Sequence, residues 1–373
     1  MKILFFVPQL CSGGAQQVAI LLSSALIKMG HEVHLTAATL DGELLSRVNP
    51  ACRCTGLGAK KPIQAQKGLA TLINSTRPDV LICFGIYTGI AASLSRRTWK
   101  HNPVFIIRNE NNLSMDWQQG TFINRILGPI LSRWSAKNAH IIAVSHELEN
   151  ATKHYLKISS DSITTILNPV IDDARLSNPV GASIHPWLID KKKPTFIAMG
   201  RLEHQKGFDI LIDAFAKLQS TRDARLLIFG QGSLRDDLQN RIDQYQLGDK
   251  IDLAGHTDHP IEQMKNAHAF VLSSRFEGFG LVLVEALWAG IRVISTNCKY
   301  GPAEILENGR YGTLIPVDNA EALTQAMLAS FEYEQRPLPS NTWFGQFTAT
   351  ESARQHIVLI ESLIAHQKLK VAN

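Results

Sequence analysis

The chain has 373 residues, of which 45% are hydrophobic and 19% charged, and its formal net charge is +5 at pH 7. That length exceeds what one core usually supports, so two domains are expected, and no apolar run reaches the ~18 residues of a membrane-spanning helix. Five scattered cysteines, an odd number, argue against a disulfide framework and for reduced thiols.

Met1–Pro8 opens with an apolar run too short for a secretory signal peptide and reads as the first buried strand. Further short apolar runs follow at Val33–Thr36, Val80–Phe84, Val104–Ile107 and Ile141–Val144. Helical patterns such as Gln16–Met29 and Thr121–Lys137 lie between them. Continuous apolar strands alternating with helices predict a parallel sheet covered on both faces. A segment rich in proline, ending in the lysine run before Pro194, interrupts the pattern, which restarts at Phe196–Met199, Arg225–Phe229, Ile251–Leu253, Ala269–Leu272 and Arg292–Ser295. The expected division is 1–168 for an N-terminal domain, 169–193 for a linker, 194–347 for a C-terminal domain and 348–373 for a last helix. Both domains are α/β and doubly wound, and their strand carboxyl ends are expected to face each other across a cleft, where open α/β sheets bind ligands.

The basic excess belongs to residues 1–190, which carry 18 Lys/Arg against 12 Asp/Glu. It is densest between Arg47 and Lys100, where nine basic residues accompany the single acid Asp79. Such a surface suits anionic membrane lipids or a phosphorylated acceptor, and equally a plain solvated face. Aromatic residues are not interleaved with these charges, so nucleic acid is not expected as a partner.

Glycine turns after predicted strands supply the candidate site. Gly13-Gly14 follows the first strand, Gly200-Arg201 through Lys206-Gly207 follows the strand at 196–199, and Gly230-Gln231-Gly232 follows the next. Ser274-Arg275-Phe276-Glu277-Gly278-Phe279-Gly280-Leu281 leads into a helical run carrying Glu285, eight positions after Glu277. Glycines let a backbone approach a ligand, and helix N-terminal amides hold anions. Arg201 and Lys206 supply positive charge for a diphosphate, while Glu277 and Glu285 suit sugar and ribose hydroxyls. A sugar nucleotide offers all three groups. The first turn lacks the third glycine of a dinucleotide fingerprint and the acidic residue after the second strand, which disfavours a nicotinamide dehydrogenase. The chain has no Asp-x-Asp triplet, so no metal clamp for the diphosphate is expected, and Cys52-Arg53-Cys54 has no second pair at zinc-site spacing.

Gly200-Arg201 with Gln205-Lys206-Gly207, Glu277 with Gly278-Phe279-Gly280 and Glu285, and Ala289 through Ile294 together resemble the retaining glycosyltransferases of family 4, which have the GT-B fold. Gly13-Gly14 and Asn168-Pro169 fit the same pattern, so the resemblance covers nearly the whole chain. It implies a donor held mainly by the C-terminal domain, no metal requirement, and a last helix returning to the N-terminal domain. Arg201 and Lys206 are then expected at the diphosphate, with Gly14 and Gly13 supporting it and Gly200 in the same turn. Glu277 is expected to stabilise the anomeric carbon, Phe279, Gly280 and Leu281 to contact sugar and phosphate, Glu285 to take the ribose, and the stretch around His256 to line the base. Many relatives carry an acceptor-side histidine after the strand corresponding to 104–107, where this chain reads Arg108-Asn109-Glu110; either these three are expected to take over those contacts or the acceptor is expected to be positioned differently.

The stretch Thr296–Ile305 is similar to that of members using UDP-galactose, UDP-N-acetylgalactosamine or UDP-N-acetylglucosamine. The expected function is metal-independent retaining transfer of a hexose or N-acetylhexosamine from a UDP-sugar to a saccharide, lipid-linked and at the cytoplasmic membrane face. The alternatives are a GDP-mannose transferase and a non-catalytic nucleotide-sugar-binding module. An epimerase or a pyridoxal-dependent phosphorylase lacks evident catalytic groups.

Overall fold

The computed structural model describes residues 1–11, 13–118, 122–171, 183–332 and 336–372. The chain divides into two compact units, Met1–Ala174 with Gly345–Asn373, and Arg175–Phe344. Among the described residues, unit 1 holds strands β1 (Lys2–Val7), β2 (Glu32–Ala37), β3 (Arg53–Gly56), β4 (Val80–Phe84), β5 (Val104–Asn109), β6 (His140–Ala143) and β7 (Ile163–Thr165). Unit 2 holds β8 (Thr195–Met199), β9 (Arg225–Phe229), β10 (Ile251–Gly255), β11 (Ala269–Leu272), β12 (Arg292–Thr296) and β13 (Thr313–Ile315). Every pairing in both sheets is parallel, with orders β3-β2-β1-β4-β5-β6-β7 and β10-β9-β8-β11-β12-β13. Both units are therefore doubly wound, as the alternation of apolar runs and helices predicts.

The strands missing from the sequence reading are β3, β7 and β13, each at the edge of its sheet and none longer than four residues. Edge strands bury only part of their side chains, so Arg53–Gly56 and Ile163–Thr165 carry no continuous apolar run. Central strands do: Phe5 pairs with Leu35 on one side and Ile82 on the other, and all three are fully buried.

Strand order reverses between β1 and β4 in unit 1 and between β8 and β11 in unit 2. At such a switch point the two crossovers leave on opposite faces, and the loops at the strand carboxyl ends part to form a crevice. In unit 2 the loops concerned are the ones after β8 and β11, which carry Gly200–Gly207 and Ser273–Gly280.

Of the expected linker, residues 172–182 lie outside the described residues. The rest does not behave as a free tether. Pro186–Asp190 is a short helix, with Arg225 paired to Asp190 at 3.0 Å and Gln263 bonded to the Ser183 carbonyl at 2.8 Å, both within unit 2. The chain's last helix, Ala349–Ala372, packs on the Gly14–Lys28 helix of unit 1, and Val170 and Ile171 both donate to the Phe347 carbonyl. Among the described residues no helix is long and apolar enough to cross a membrane.

Candidate active site

The loops after β8 and β11 are stitched together through their backbones. Arg275 N–H donates to the Gln205 carbonyl (2.8 Å), Gln205 Nε2 to the Phe276 carbonyl (3.0 Å), and Ser273 Oγ to the Lys206 carbonyl (2.8 Å). This alignment brings Lys206 Nζ to 2.6 Å from Glu277 Oε1 across 71 positions of sequence. Ser274 Oγ donates to the same oxygen at 2.6 Å. Both ionic groups are sheltered, with side-chain exposures of 15% for Lys206 and 6% for Glu277. A paired charge is the only form in which such groups lose water without a large penalty. The local negative field registers on Cys298, whose thiol burial first, and the Glu277 carboxylate second, push up to about 12.

Arg201, the second expected cation, stands apart from this pair. It is exposed and its guanidinium donates to the Gln205 amide oxygen Oε1 at 3.1 Å, so it is poised at the rim rather than locked. Glu285 projects from the Leu281–Trp288 helix, half-buried, about one and a half turns beyond the N-cap Gly280. Gly280 adopts φ +95°, a left-handed conformation that lets the chain turn from loop to helix and leaves the first helical amides without intrahelical acceptors.

The Gly230–Gly232 turn closes against the β8 loop. Gly230 has φ +147° and its N–H donates to the Gly255 carbonyl at 2.7 Å; a Cβ there would overlap the Gly200 carbonyl oxygen. Glu203 fixes the same turn, accepting from the Ser233 N–H and hydroxyl, both at 2.9 Å. The Ser233 amide chiefly holds the Glu203 carboxyl below its usual range. Beside this turn lies a cavity of about 660 Å³ lined by Gln231, Gly232, Arg235, Leu253, Ala254 and Gly255, with His185 and Asp252 at its edge. His256 is adjacent, exposed, and 3.4 Å from Asp258. Ser274, Gln205 and Glu203 were not singled out in sequence, although each lies within the quoted motifs. Their signal is spacing: Ser274 precedes Glu277 by three residues, a separation that brings side chains together in a tight turn.

In unit 1, Gly13 and Gly14 open the Gly14–Lys28 helix directly after β1, with Gly14 exposed. The acceptor-side expectation fares differently for its three members. Strand β5 runs two residues past its apolar run, pairing Arg108 with Ile142 and Asn109 with Ala143. Arg108 is fully buried and held by Glu110 (2.7 Å), His356 Nε2 (2.9 Å) and Asn168 (2.5 Å). Asn109 is 2% exposed and donates to Thr152 at 2.7 Å. These two are interior clamps, which corrects the expectation of direct acceptor contact. Glu110 is nearly as enclosed, with its side chain 9% exposed, and burial raises its carboxyl while the Arg108 charge opposes that rise. His140 donates to or accepts from Thr164 at 2.9 Å and is pushed down to about 4 by burial, which fits a structural role. Cys52, pushed up to about 12 by burial, is a poor metal ligand, and no group of three or more His, Cys, Asp or Glu positioned for a metal occurs among the described residues.

Two family models divide the chain between them: Glycosyltransferase Family 4 over residues 12–174 and Glycosyl transferases group 1 over residues 182–338. An uncharacterized glycosyltransferase of Methanocaldococcus jannaschii is 31% identical over 276 residues, covering 72% of this chain and 67% of its own. The chain belongs to glycosyltransferase family 4. Two Campylobacter jejuni members of known name are also similar. One, an N-acetylgalactosaminyltransferase named for a diphospho-undecaprenol acceptor, is 33% identical over 38% of each chain, so the match spans little more than a third of that relative's length. The other, an α-1,4-N-acetyl-D-galactosaminyltransferase named for a PP-undecaprenol glycan, is 25% identical over 88% of each. The solved structure of Anabaena HepE with UDP and glucose shares the fold, with a TM-score of 0.71, 18% identity, and coverage of 99% of this chain and all of that one. The family assignment and the two parallel-sheet units together establish the GT-B fold.

Proposed function

We propose that the chain transfers a hexose or N-acetylhexosamine, with galactose, N-acetylgalactosamine and N-acetylglucosamine as the candidates, from a UDP-sugar to a lipid-linked saccharide at the inner membrane face, with retention and without a metal. The observation that carries this reading is the Lys206–Glu277–Ser274 cluster at the β8/β11 switch point. Its cation sits where a departing diphosphate gains charge, and positive charge already in place acts most strongly there. Lys206 and the rim residue Arg201 neutralise the diphosphate, joined by amides of Phe279, Gly280 and Leu281 at the helix start. Glu277 uses Oε1 for Lys206 and Ser274, so Oε2 is the oxygen for a sugar hydroxyl and for positive character at the anomeric carbon. Glu285 takes the ribose hydroxyls, and the cavity beside Gly200, Gly232 and Gly255, near His256, takes the base. The leaving phosphate accepts the acceptor's proton, so no second catalytic carboxylate is required. Glu110, set in place by Arg108, is the acceptor-side group.

The Campylobacter relatives named for undecaprenol-linked substrates support the lipid-linked acceptor, and the HepE complex supports UDP. Calorimetric titration with UDP, GDP and ADP in EDTA tests the donor. Selective UDP binding supports the reading. Preference for GDP would redirect the search to mannose or fucose, and absence of any binding would overturn the roles of Lys206 and Glu285.

A further inference from the structure

The helix Phe122–Ala136 in unit 1 is amphipathic the wrong way round. Its inward face is built of small and hydroxyl residues: Ser132 and Ser135 are fully buried, with Ser135 Oγ 2.7 Å from Ser93 Oγ and Trp117 Nε1 donating to Ser132. Its outward face carries the bulk, with Phe122 76%, Ile126 51%, Ile130 58% and Trp134 36% exposed. A helix of a water-facing surface has the opposite arrangement. At about 100° per residue, Phe122, Ile126, Ile130 and Arg133 fall within one narrow arc, and Lys137 extends it just beyond the helix. The apolar arc therefore ends in basic groups on the same side.

A second observation lies at that end. A cavity of about 660 Å³ is lined by Arg133, Lys153, His154, Tyr155, Lys157 and neighbouring serines, with no carboxylate among its lining residues. Arg133 Nε donates to the Tyr155 carbonyl at 2.9 Å, and its guanidinium lies 5.7 Å from the Tyr155 ring centroid. Lys153 Nζ reaches Ser160 Oγ at 3.4 Å. The pocket thus gathers positive charge and hydroxyl donors beside exposed aromatic and aliphatic side chains.

We propose that this face docks on an anionic phospholipid bilayer, the Phe122–Trp134 arc lying at the boundary between headgroups and acyl chains and the Arg133–Lys153–Lys157 pocket taking a lipid phosphate. An interfacial helix needs apolar bulk on one side and cations at headgroup level, and both are present here. A second copy of the chain fits less well, since a two-fold interface would set each basic cluster near its own twin. This places the membrane contact at residues 122–157, away from the Arg47–Lys100 segment singled out by charge density alone. The inference rests on the proposed function only for its purpose, because docking brings the enzyme to a lipid-linked acceptor.

The test is flotation of the full chain with vesicles of phosphatidylcholine, with and without phosphatidylglycerol, in the absence of donor and acceptor. The protein is expected to float with the anionic vesicles only. Ile126→Ser with Ile130→Ser should lower partitioning at least tenfold, and Lys153→Ala and Lys157→Ala about fivefold each, more at low salt. Ile126, Ile130 and Lys157 are exposed and Lys153 is half-buried, so folding should persist, and thermal melting checks it. UDP titration of the same variants separates the two readings, since it should be unchanged. Failure of the wild type to bind anionic vesicles, or wild-type partitioning of the isoleucine variant, overturns the proposal. So does binding of glycerol phosphate without vesicle binding, or a dimer that the isoleucine variant converts to monomer.

Discussion

Replacing Glu277 with glutamine separates its two proposed roles. In the ligand-free protein Glu277 Oε1 holds Lys206 at 2.6 Å, so the carboxylate competes with any diphosphate for the lysine. A hydrogen bond to a charged group contributes about 1.5–3 kcal/mol and a bond with one neutral partner about 0.5–1.5 kcal/mol. Glu277→Gln keeps the shape and the Ser274 contact, and it frees roughly 1–2 kcal/mol of attraction that Lys206 can redirect to phosphate. UDP should therefore bind equally well or up to about tenfold more tightly. Turnover should fall by about 100-fold or more, the usual effect of removing one electrostatic contact to the reacting centre. Calorimetry gives the first quantity and initial rates with a UDP-sugar the second. Tenfold weaker UDP binding would show that Glu277 positions Lys206 instead of competing for it. Turnover within threefold of wild type would remove Glu277 from the chemistry.

Two further outcomes concern stability. Arg108 can only donate, so His356 Nε2 accepts from it while Nδ1–H donates to the Ser352 carbonyl at 2.7 Å, and the ring is neutral. Burial first, and the Arg108 charge second, push its pKa from 6.5 down to about 3. Between those values the unfolded chain binds a proton that the folded one refuses, so this stability is full above the unfolded pKa and falls with decreasing pH. Going from pH 7 to 5 should remove about 2 kcal/mol that His356→Gln does not lose, read from urea midpoints; equal pH slopes for both proteins would refute the assignment. Gly230→Ala should destabilise unit 2 by about 3 kcal/mol or more, because φ +147° and the Gly200 carbonyl both exclude a Cβ; a thermal midpoint close to wild type would contradict the close approach of the two turns.

The local devices of this protein were legible before folding was considered. Five apolar runs per unit mark strands because a parallel sheet covered on both faces has no polar side, and the glycine turns that follow them mark strand carboxyl ends where the backbone turns left-handed or packs closely. The pairing of Lys206 with Glu277 was not legible, since it depends on β8 and β11 being neighbours although β9 and β10 intervene in sequence. Arg108 and Asn109 look like loop residues by composition, and only the register of β5 against β4 and β6 buries them and makes Arg108 the anchor for His356, 248 positions away. The Phe122–Ala136 helix shows the same limit most plainly. Its 3.6-residue periodicity predicts an apolar face, but which face meets the rest of the unit is decided by packing, and Ser132 and Ser135 turn inward while Ile126 and Ile130 stay exposed. Sequence periodicity reports what a segment can bury, and tertiary contacts decide what it does bury.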